Sequence, residues 1–365
     1  MRLHIFNPDH DIALAVNREG FTAPRAALRL RRDLGYLPML WAAPGDLVLV
    51  DDVATARKGL RRLSMEGKGR LVGVRDLAEC AGDNNLLEIC PWGWDVALRR
   101  ELLDNGVPER LLPSAGHLQA IRRMSHRAWA DTRLLPRLRV FAGTVGESLE
   151  VHCANEVECY LEKHGKIVVK EPWGSSGRGI RYVFGMAEAG SSGVEMDQRV
   201  VNWIANVVAR QGSIMVEPYY DKLLDFGMEF MSDGRGTVDY LGLSLFHTVN
   251  GAYTGNVLET EEHKMEMLSH YIDASLITGL QSAICSEMGS LLKGHYAGCF
   301  GVDMMMVRMD GQTMVHPCVE VNLRRTMGHV ALALSRHEEN LGRIMQISFD
   351  REFRLKINPL SGFLQ

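Results

Sequence analysis

Over roughly the first hundred residues, short apolar runs alternate with amphipathic stretches. Leu3 to Phe6, Met39 to Trp41, Leu47 to Val50 and Leu71 to Val74 read as strands, with Ala23 to Leu34 and Ala54 to Leu63 as helices between them. This β-α-β-α order predicts an open, largely parallel sheet covered by helices. Val96 to Asn105 and Ser114 to about Ala130 continue as helices, the second with Pro113 ahead of a Ser114 N-cap. Past Pro136 the pattern gives an extended Val140 to Ala142 and a helix over Glu156 to His164. Strands then dominate: Lys166 to Lys170, Ile180 to Phe184, Ser213 to Tyr220, Phe226 to Met231, Cys299 to Val307 and Val315 to Val321. A last helix is expected over Glu338 to Ile347, with a Pro-containing tail crossing back onto the body.

At 365 residues the chain has room for two or three domains and a cleft between them. Its 46% hydrophobic and 24% charged residues exclude a disordered chain. A net charge of −4 offers no global positive field to nucleic acid or an anionic membrane. No apolar run approaches the roughly 18 residues of a membrane span, and Asp9, His10 and Asp11 interrupt any export signal. Seven cysteines at irregular spacing, without Cys-x-x-Cys, indicate neither a disulfide framework nor a zinc site, so a cytoplasmic location is expected. A two-fold dimer is the default assembly.

Two features change the picture from a generic α/β chain to a chemical one. The first is the loop Gly174-Ser175-Ser176-Gly177-Arg178-Gly179 between two strands, the first of which ends in Lys170. Backbone N–H groups and Ser hydroxyls in such a loop can curl round phosphate oxygens, with Lys170 supplying a compact positive charge. A Walker A loop is excluded, because Gly179 opens a strand and not a helix, and no His-Arg-Asp or Asp-Phe-Gly triplet marks a protein kinase. Taken alone, the loop is equally well a flexible hairpin tip. Asn7-Pro8-Asp9-His10 after the first strand also lacks the Gly-x-Gly-x-x-Gly of a dinucleotide site.

The second feature is a set of strand-borne carboxylates. Asp303 and Glu320 lie in apolar strands separated by an Asp310-Gly311 turn, so hairpin pairing brings them together on one face. Two buried carboxylates side by side require a cation or protons. Asn322 and Arg324 follow Glu320 at strand periodicity, adding an amide oxygen and a positive charge. Two carboxylates and an amide form a hard-oxygen set suited to Mg²⁺ beside phosphate, with Mn²⁺ an alternative occupant.

In order along the chain, Lys170-x-Pro-x-Gly-Ser-Ser-Gly-x-Gly, Val216-Glu217-Pro218, Gly301-Val302-Asp303 and Glu320-Val-Asn322-Leu-Arg324 resemble the ATP-grasp superfamily over residues 114 to 335. The resemblance implies α/β and α+β architecture: a Rossmann-like preATP-grasp domain followed by a two-lobed ATP-grasp domain with ATP between antiparallel sheets. The corresponding boundaries are 1–113, 114–215 for the lid subdomain with the glycine loop, 216–350 for the metal-binding subdomain, and 351–365 for a tail. It further implies that Lys170 contacts the α- and β-phosphates and that the loop, Gly174, Ser175, Ser176, Gly177 and Gly179, covers the β- and γ-phosphates. Glu217 and Tyr219 would flank the adenine, and Asp225 would hold the ribose with Glu229 as the competing residue. Asp303, Glu320 and Asn322 would ligate Mg²⁺, with Arg324 beside them, and Arg127 stands where the superfamily has an ATP-contacting lysine.

The activity implied is an ATP-dependent ligase that activates a small carboxylate as an acyl phosphate for attack by an amine. A phosphotransferase acting on a hydroxyl and a nucleotide-binding protein without turnover are the alternatives. Three further polar stretches are read either as acceptor contacts or as structure: Asn7 to Asp11, Trp92 to Asp95, and His247 to Asn256.

Overall fold

The computed structural model describes residues 1–63, 67–82, 86, 88–174, 179–187, 194–249 and 252–360. Strands β1 (Arg2–Ile5), β2 (Leu47–Val50), β3 (Arg70–Gly73) and β4 (Glu88–Pro91) form a parallel sheet in the order β3-β2-β1-β4. All four residues of β2 are buried, as expected for a parallel strand covered on both faces. Asp52 caps the helix Val53–Arg62 by accepting from the Ala54 and Thr55 amides.

Strands β5 (Leu149–Val151), β6 (Lys166–Lys170) and β7 (Ile180–Phe184) precede a two-stranded piece, β8 (Met186–Ala187) and β9 (Val194–Glu195). After the helix Gln198–Gln211, β10 (Ile214–Pro218) inserts between β5 and β6, giving a four-stranded antiparallel sheet β5-β10-β6-β7.

The remaining strands are β11 (Asp221–Ser232), β12 (Val238–Val249), β13 (Ala252–Leu258), β14 (Gly298–Met309), β15 (Gln312–Asn322), β16 (Arg343–Asp350) and β17 (Glu352–Pro359). They make one antiparallel sheet, β15-β14-β11-β12-β13-β16-β17. Alternation along β11 divides its side chains cleanly. Phe226, Met228 and Phe230 are fully buried and share a core with Ile277, Leu280 and Ile284 of the helix Ala274–Leu292. Asp225, Gly227 and Glu229 therefore face the other way, into the cleft.

The Asp310-Gly311 turn has φ values of 50° and 77°, the two left-handed positions of a two-residue hairpin. It pairs Met309 with Gln312 and Met305 with His316, after which β15 carries two extra residues and Asp303 faces Glu320. Without that bulge the partner of Asp303 would be Cys318; the irregularity sets the two carboxylates opposite each other.

Several expected elements differ. Met39 to Trp41 is not a strand: Leu37–Leu40 is a single tight helical turn with Pro38 near its start, where the fixed φ of the ring suits a helix. The helix from Ser114 ends at Met124, and a second begins at Arg127, because the His126 side chain accepts from the Ala128 amide and caps a new start. Val140 to Ala142 forms no strand and leads into a turn closed by Thr144. The helix expected over Glu338 to Ile347 is a short turn, Glu338–Asn340, followed by β16; Gly342 at φ 73° ends the turn and Met345 pairs with Asn256.

The tail boundary at 351 falls on the turn between β16 and β17, which extend the large sheet. The boundary at 215 falls inside β10, which belongs wholly to the four-stranded sheet. Ile121, Leu134 and Leu138, assigned to the lid from sequence, are buried in the large-sheet core. The parallel-sheet layer also shares a core with the large sheet, where Leu34 and Tyr36 meet Val330 and Met345.

Burial carries a cost at one histidine. Among the described residues, His316 on β15 finds no hydrogen-bond partner for either ring nitrogen, and it packs edge-on to Tyr220 at 5.7 Å. Burial, with the nearby Lys170 charge, lowers it from 6.5 to about 3. Below pH 6.5 the unfolded chain takes up a proton that the folded chain refuses, so this contribution to stability is intact above 6.5 and lost on acidification toward 3. His316→Phe is expected to flatten the acid limb of a urea-midpoint profile by up to about 1.4 kcal/mol per pH unit; parallel profiles for the two proteins would contradict it.

Candidate functional site

A cavity of about 700 Å³ opens between the four-stranded sheet and the large sheet, closed at one end by the parallel-sheet layer. Its floor is the cleft face of the large sheet, carrying Asp225 and Glu229 of β11, Ser244 and Thr248 of β12, Asn256 of β13, and Asp303, Glu320 and Asn322 of β14 and β15. Strand register alone accounts for this grouping, since Gly227 pairs with both Ser244 and Asp303, and Asp303 with Glu320.

The roof end is aromatic and basic. Val168, Lys170, Ile180, Tyr182 and Phe184 line it from β6 and β7, with Tyr219 at the exit of β10. Tyr182 and Phe184 lie 6.0 and 5.9 Å from the Tyr219 ring and are part exposed, leaving apolar faces available to a planar ring. The Tyr219 amide donates to the Lys166 carbonyl at 3.0 Å, so the chain after Glu217 is held against β6. Lys170 Nζ donates to Glu217 Oε2 at 2.5 Å, and both side chains are buried. Asp131, pushed up to about 7 by burial and by Glu217, stands beside this pair and is a group that its sequence setting does not advertise.

Gly174 and Gly179 bracket the glycine loop. The Gly179 carbonyl accepts from the Glu171 amide at 2.8 Å, which closes the base of the loop, and Ser175, Ser176 and Gly177 lie outside the described residues. Arg127 reaches this region from its helix: Nη1 donates to Glu320 Oε1 at 3.0 Å and Nη2 to the Gly174 carbonyl at 3.4 Å. It thus links the loop base to the carboxylate set.

Asn322 Nδ2 donates to Asp303 Oδ2 at 3.0 Å. Burial, with Glu320 and Glu229 nearby, pushes Asp303 up to about 8, and burial lifts Glu320 despite Arg127. Negative charge is therefore under-compensated here, the condition a divalent cation relieves. Among the described residues no three His, Cys, Asp or Glu side chains converge as a closed metal cage. The oxygens present fit Mg²⁺, which takes a few protein ligands and completes its shell with phosphate and water.

Arg324 is already engaged. Its Nε donates to both Asp11 oxygens at 3.0 Å and its Nη2 to Asn322 Oδ1 at 2.8 Å. Arg324 holds the Asp11 carboxyl below the usual range in spite of burial. The segment Asn7 to Asp11 thus divides its work: Asn7 Nδ2 donates to the Gly93 carbonyl at 2.8 Å, His10 lies 3.2 Å from Asp95, and Asp11 enters the cavity. Asp9 makes no side-chain cap. Trp92 lines the cavity edge-on to Phe6 at 4.9 Å, while Asp95 caps the helix Val96–Asp104.

The structure separates Asp225 from Glu229, the two residues read from sequence as candidates for a ribose contact. Asp225 accepts from Lys222 Nζ and Thr248 Oγ1, each at 2.6 Å, at the Tyr182 end of the cavity. Glu229 lies on the other side of Asp303, 2.9 Å from His329 Nδ1. Of the His247 to Asn256 stretch, Thr248, Tyr253 and Asn256 reach the cavity.

Gly328 packs directly on Glu229: a Cβ there would lie 1.9 Å from Oε1. Gly328→Ala is expected to lower stability by about 1–3 kcal/mol in urea unfolding, with most of the loss recovered in Gly328→Ala/Glu229→Ala. An unchanged midpoint would contradict this packing.

The large and four-stranded sheets, with the cavity between them and the parallel layer at one end, define an ATP-grasp fold. Among solved structures, the chain is similar to a biotin carboxylase complex with β,γ-ATP from Campylobacter jejuni, with a TM-score of 0.52, 13% identity, and 91% of this chain and 67% of that one covered. It is also similar to an N5-carboxyaminoimidazole ribonucleotide synthetase from Thermus thermophilus, with a TM-score of 0.49, 12% identity, and 95% and 83% coverage. No protein-family model and no curated protein sequence matches the chain. No helix among the described residues is long and apolar enough to cross a membrane.

Proposed function

We propose that this protein is an ATP-dependent ligase that activates a small carboxylate by phosphorylation and passes the acyl group to an amine. One observation carries the reading: Lys170 on one sheet and the Asp303/Glu320/Asn322 set on the other line a single cavity with aromatic walls at the Lys170 end. Opposed charges of this kind, fixed on rigid strands, suit in-line phosphoryl transfer, where positioning and charge compensation do most of the catalysis.

Tyr182, Phe184 and Tyr219 would sandwich the base, Asp225 would accept from the ribose, and Lys170 would meet the α- and β-phosphates beneath Gly174 to Gly179. Mg²⁺, or Mn²⁺ on the same oxygens, would neutralise the charge that develops on the transferred phosphoryl group. Arg127 steadies Glu320 and the loop base together. Arg324 would present its guanidinium to the acceptor carboxylate by exchanging Asp11 for it. The seven cysteines are all unpaired, which suits a reducing compartment such as the cytoplasm.

The test is ADP release with Mg·ATP and a panel of ¹⁸O-labelled acids, with and without amines. Release that needs both an acid and an amine, with ¹⁸O appearing in phosphate, is expected. ADP release with a hydroxyl acceptor alone would assign a phosphotransferase, and nucleotide binding without release would leave a binding protein.

A further inference from the structure

Resting on the ligase reading above, we infer that the lobe of the cavity beyond Asp303 takes the amine substrate, and that this substrate is a primary amine on an apolar body, with Glu229 as the anchor for its ammonium group. Along β11, Asp225 lies at the nucleotide end, Gly227 faces Asp303, and Glu229 comes next on the same face, opposite Gly301. In-line transfer places the acceptor carboxylate on the far side of the phosphoryl group from ADP, which is the Glu229 side, and the amine must reach the acyl carbon there, giving its ammonium proton to Glu229 before it attacks and phosphate leaves.

The lobe is built around this carboxylate. Glu229 is 2% exposed, and Oε2 has one close neighbour, His329 Nδ1 at 2.9 Å, whose protonation decides whether that oxygen has a donor. Two glycines make room for it: a Cβ at Gly301 would lie 2.7 Å from Oε2, and one at Gly328 would lie 1.9 Å from Oε1. A buried carboxylate oxygen without a donor is costly unless a ligand supplies one.

His329 does not supply it cleanly. Its Nδ1 is 2.9 Å from Glu229 Oε2, yet the Thr326 amide donates to the same nitrogen at 3.1 Å. Against its burial, Glu229 and Cys299 favour the charged ring, drawing His329 up to about 9, while the Thr326 N–H favours the neutral one. A cation bound at Glu229 removes the conflict: the neutral ring accepts from Thr326 at Nδ1 and directs Nε2 at the Phe230 carbonyl, 3.4 Å away.

The walls select the rest of the substrate. Phe6, Leu30, Trp92, Met327 and Ile347 line the cavity and pack in one apolar cluster, with Met327 next in sequence to the Gly328 that abuts Glu229. Ser244 and Asn256 complete the polar floor, and Asn256 is committed, donating to Ser244 Oγ at 2.8 Å and accepting from the Tyr253 hydroxyl at 2.5 Å. Among the described residues, Glu229 is thus a carboxylate set beside apolar walls with His329 as its close neighbour, a pattern suited to one ammonium and a hydrocarbon body.

Isothermal titration of the full chain tests this, using 3-methylbutylamine and its uncharged counterpart 3-methylbutan-1-ol, each with Mg²⁺ and a non-hydrolysable ATP analogue present. The amine is expected to bind at least about tenfold tighter than the alcohol, and Glu229→Gln to erase that preference while keeping its affinity for the analogue. Equal affinities in the wild type, no binding of the amine, or a preference that survives in Glu229→Gln would each overturn the assignment. The wild-type comparison needs no variant to fold, and Glu229→Asp, which keeps the charge, is expected to retain part of the preference. Titration of the analogue alone reports on the ligase reading separately: binding there with no amine preference would sink only the present inference.

Discussion

Asp303→Asn is expected to lower Mg·ATP turnover by at least about a hundredfold while raising the thermal midpoint of the protein without nucleotide. The first effect follows from removing a carboxylate from the cation's oxygen set; loss of an outer-shell partner alone typically costs about 10–100-fold. The second follows from Asp303's surroundings. It is buried and faces Glu320 across the hairpin, with Glu229 nearby on β11, and these push it up to about 8. Its charge therefore opposes folding near neutral pH, and the amide removes that repulsion at nearly constant shape. A variant that keeps full turnover, or that loses stability, would contradict the account. The two readouts, steady-state ADP release and a melt without ligand, are independent, so a merely misfolded variant is recognised at once.

Lys170→Met is expected to abolish nucleotide binding and to destabilise the fold by about 3–5 kcal/mol, because it leaves the Glu217 carboxylate buried without its cation. Asp131 lies close to Glu217, so the stranded charge also meets a second acid. Lys170→Met/Glu217→Gln should regain most of the stability in urea unfolding and none of the nucleotide binding. If the single variant unfolds at the wild-type midpoint, the pair is not the buried unit described. A double variant that binds ATP would instead remove Lys170 from the phosphate site.

Much of this architecture is legible in the chain because its strands carry strong local signals. The Asp310-Gly311 turn and the apolar flanks of Asp303 and Glu320 lead to the hairpin, and the burial of Phe226, Met228 and Phe230 in β11 puts its acids on the opposite face. What escapes is set by tertiary contact. The β15 bulge, which exchanges Cys318 for Glu320 opposite Asp303, has no local marker. The residues 338–347 suit a helix by periodicity, but pairing with β13 and β17 makes the second half of them a strand. Asp11 and Arg324 are 313 positions apart, and only docking of the parallel layer on the large sheet brings them into one ion pair. Glu229 and His329 are similarly remote in sequence, so Glu229 reads only as a competitor of Asp225 for the ribose until His329 is in view.

On the proposed function, Mg·ATP binds between the two sheets. Thermal unfolding of the wild type and of Asp303→Asn, each with ATP, Mg²⁺, Mg·ATP or Mg·GTP, tests it most directly. At a hundred times Kd the bound state gains about 2.7 kcal/mol, a shift of a few degrees for a chain of this size. Stabilisation of the wild type by Mg·ATP beyond ATP alone, lost in Asp303→Asn, is expected. A folded wild type that no nucleotide stabilises would contradict it and leave the cavity without its proposed ligand.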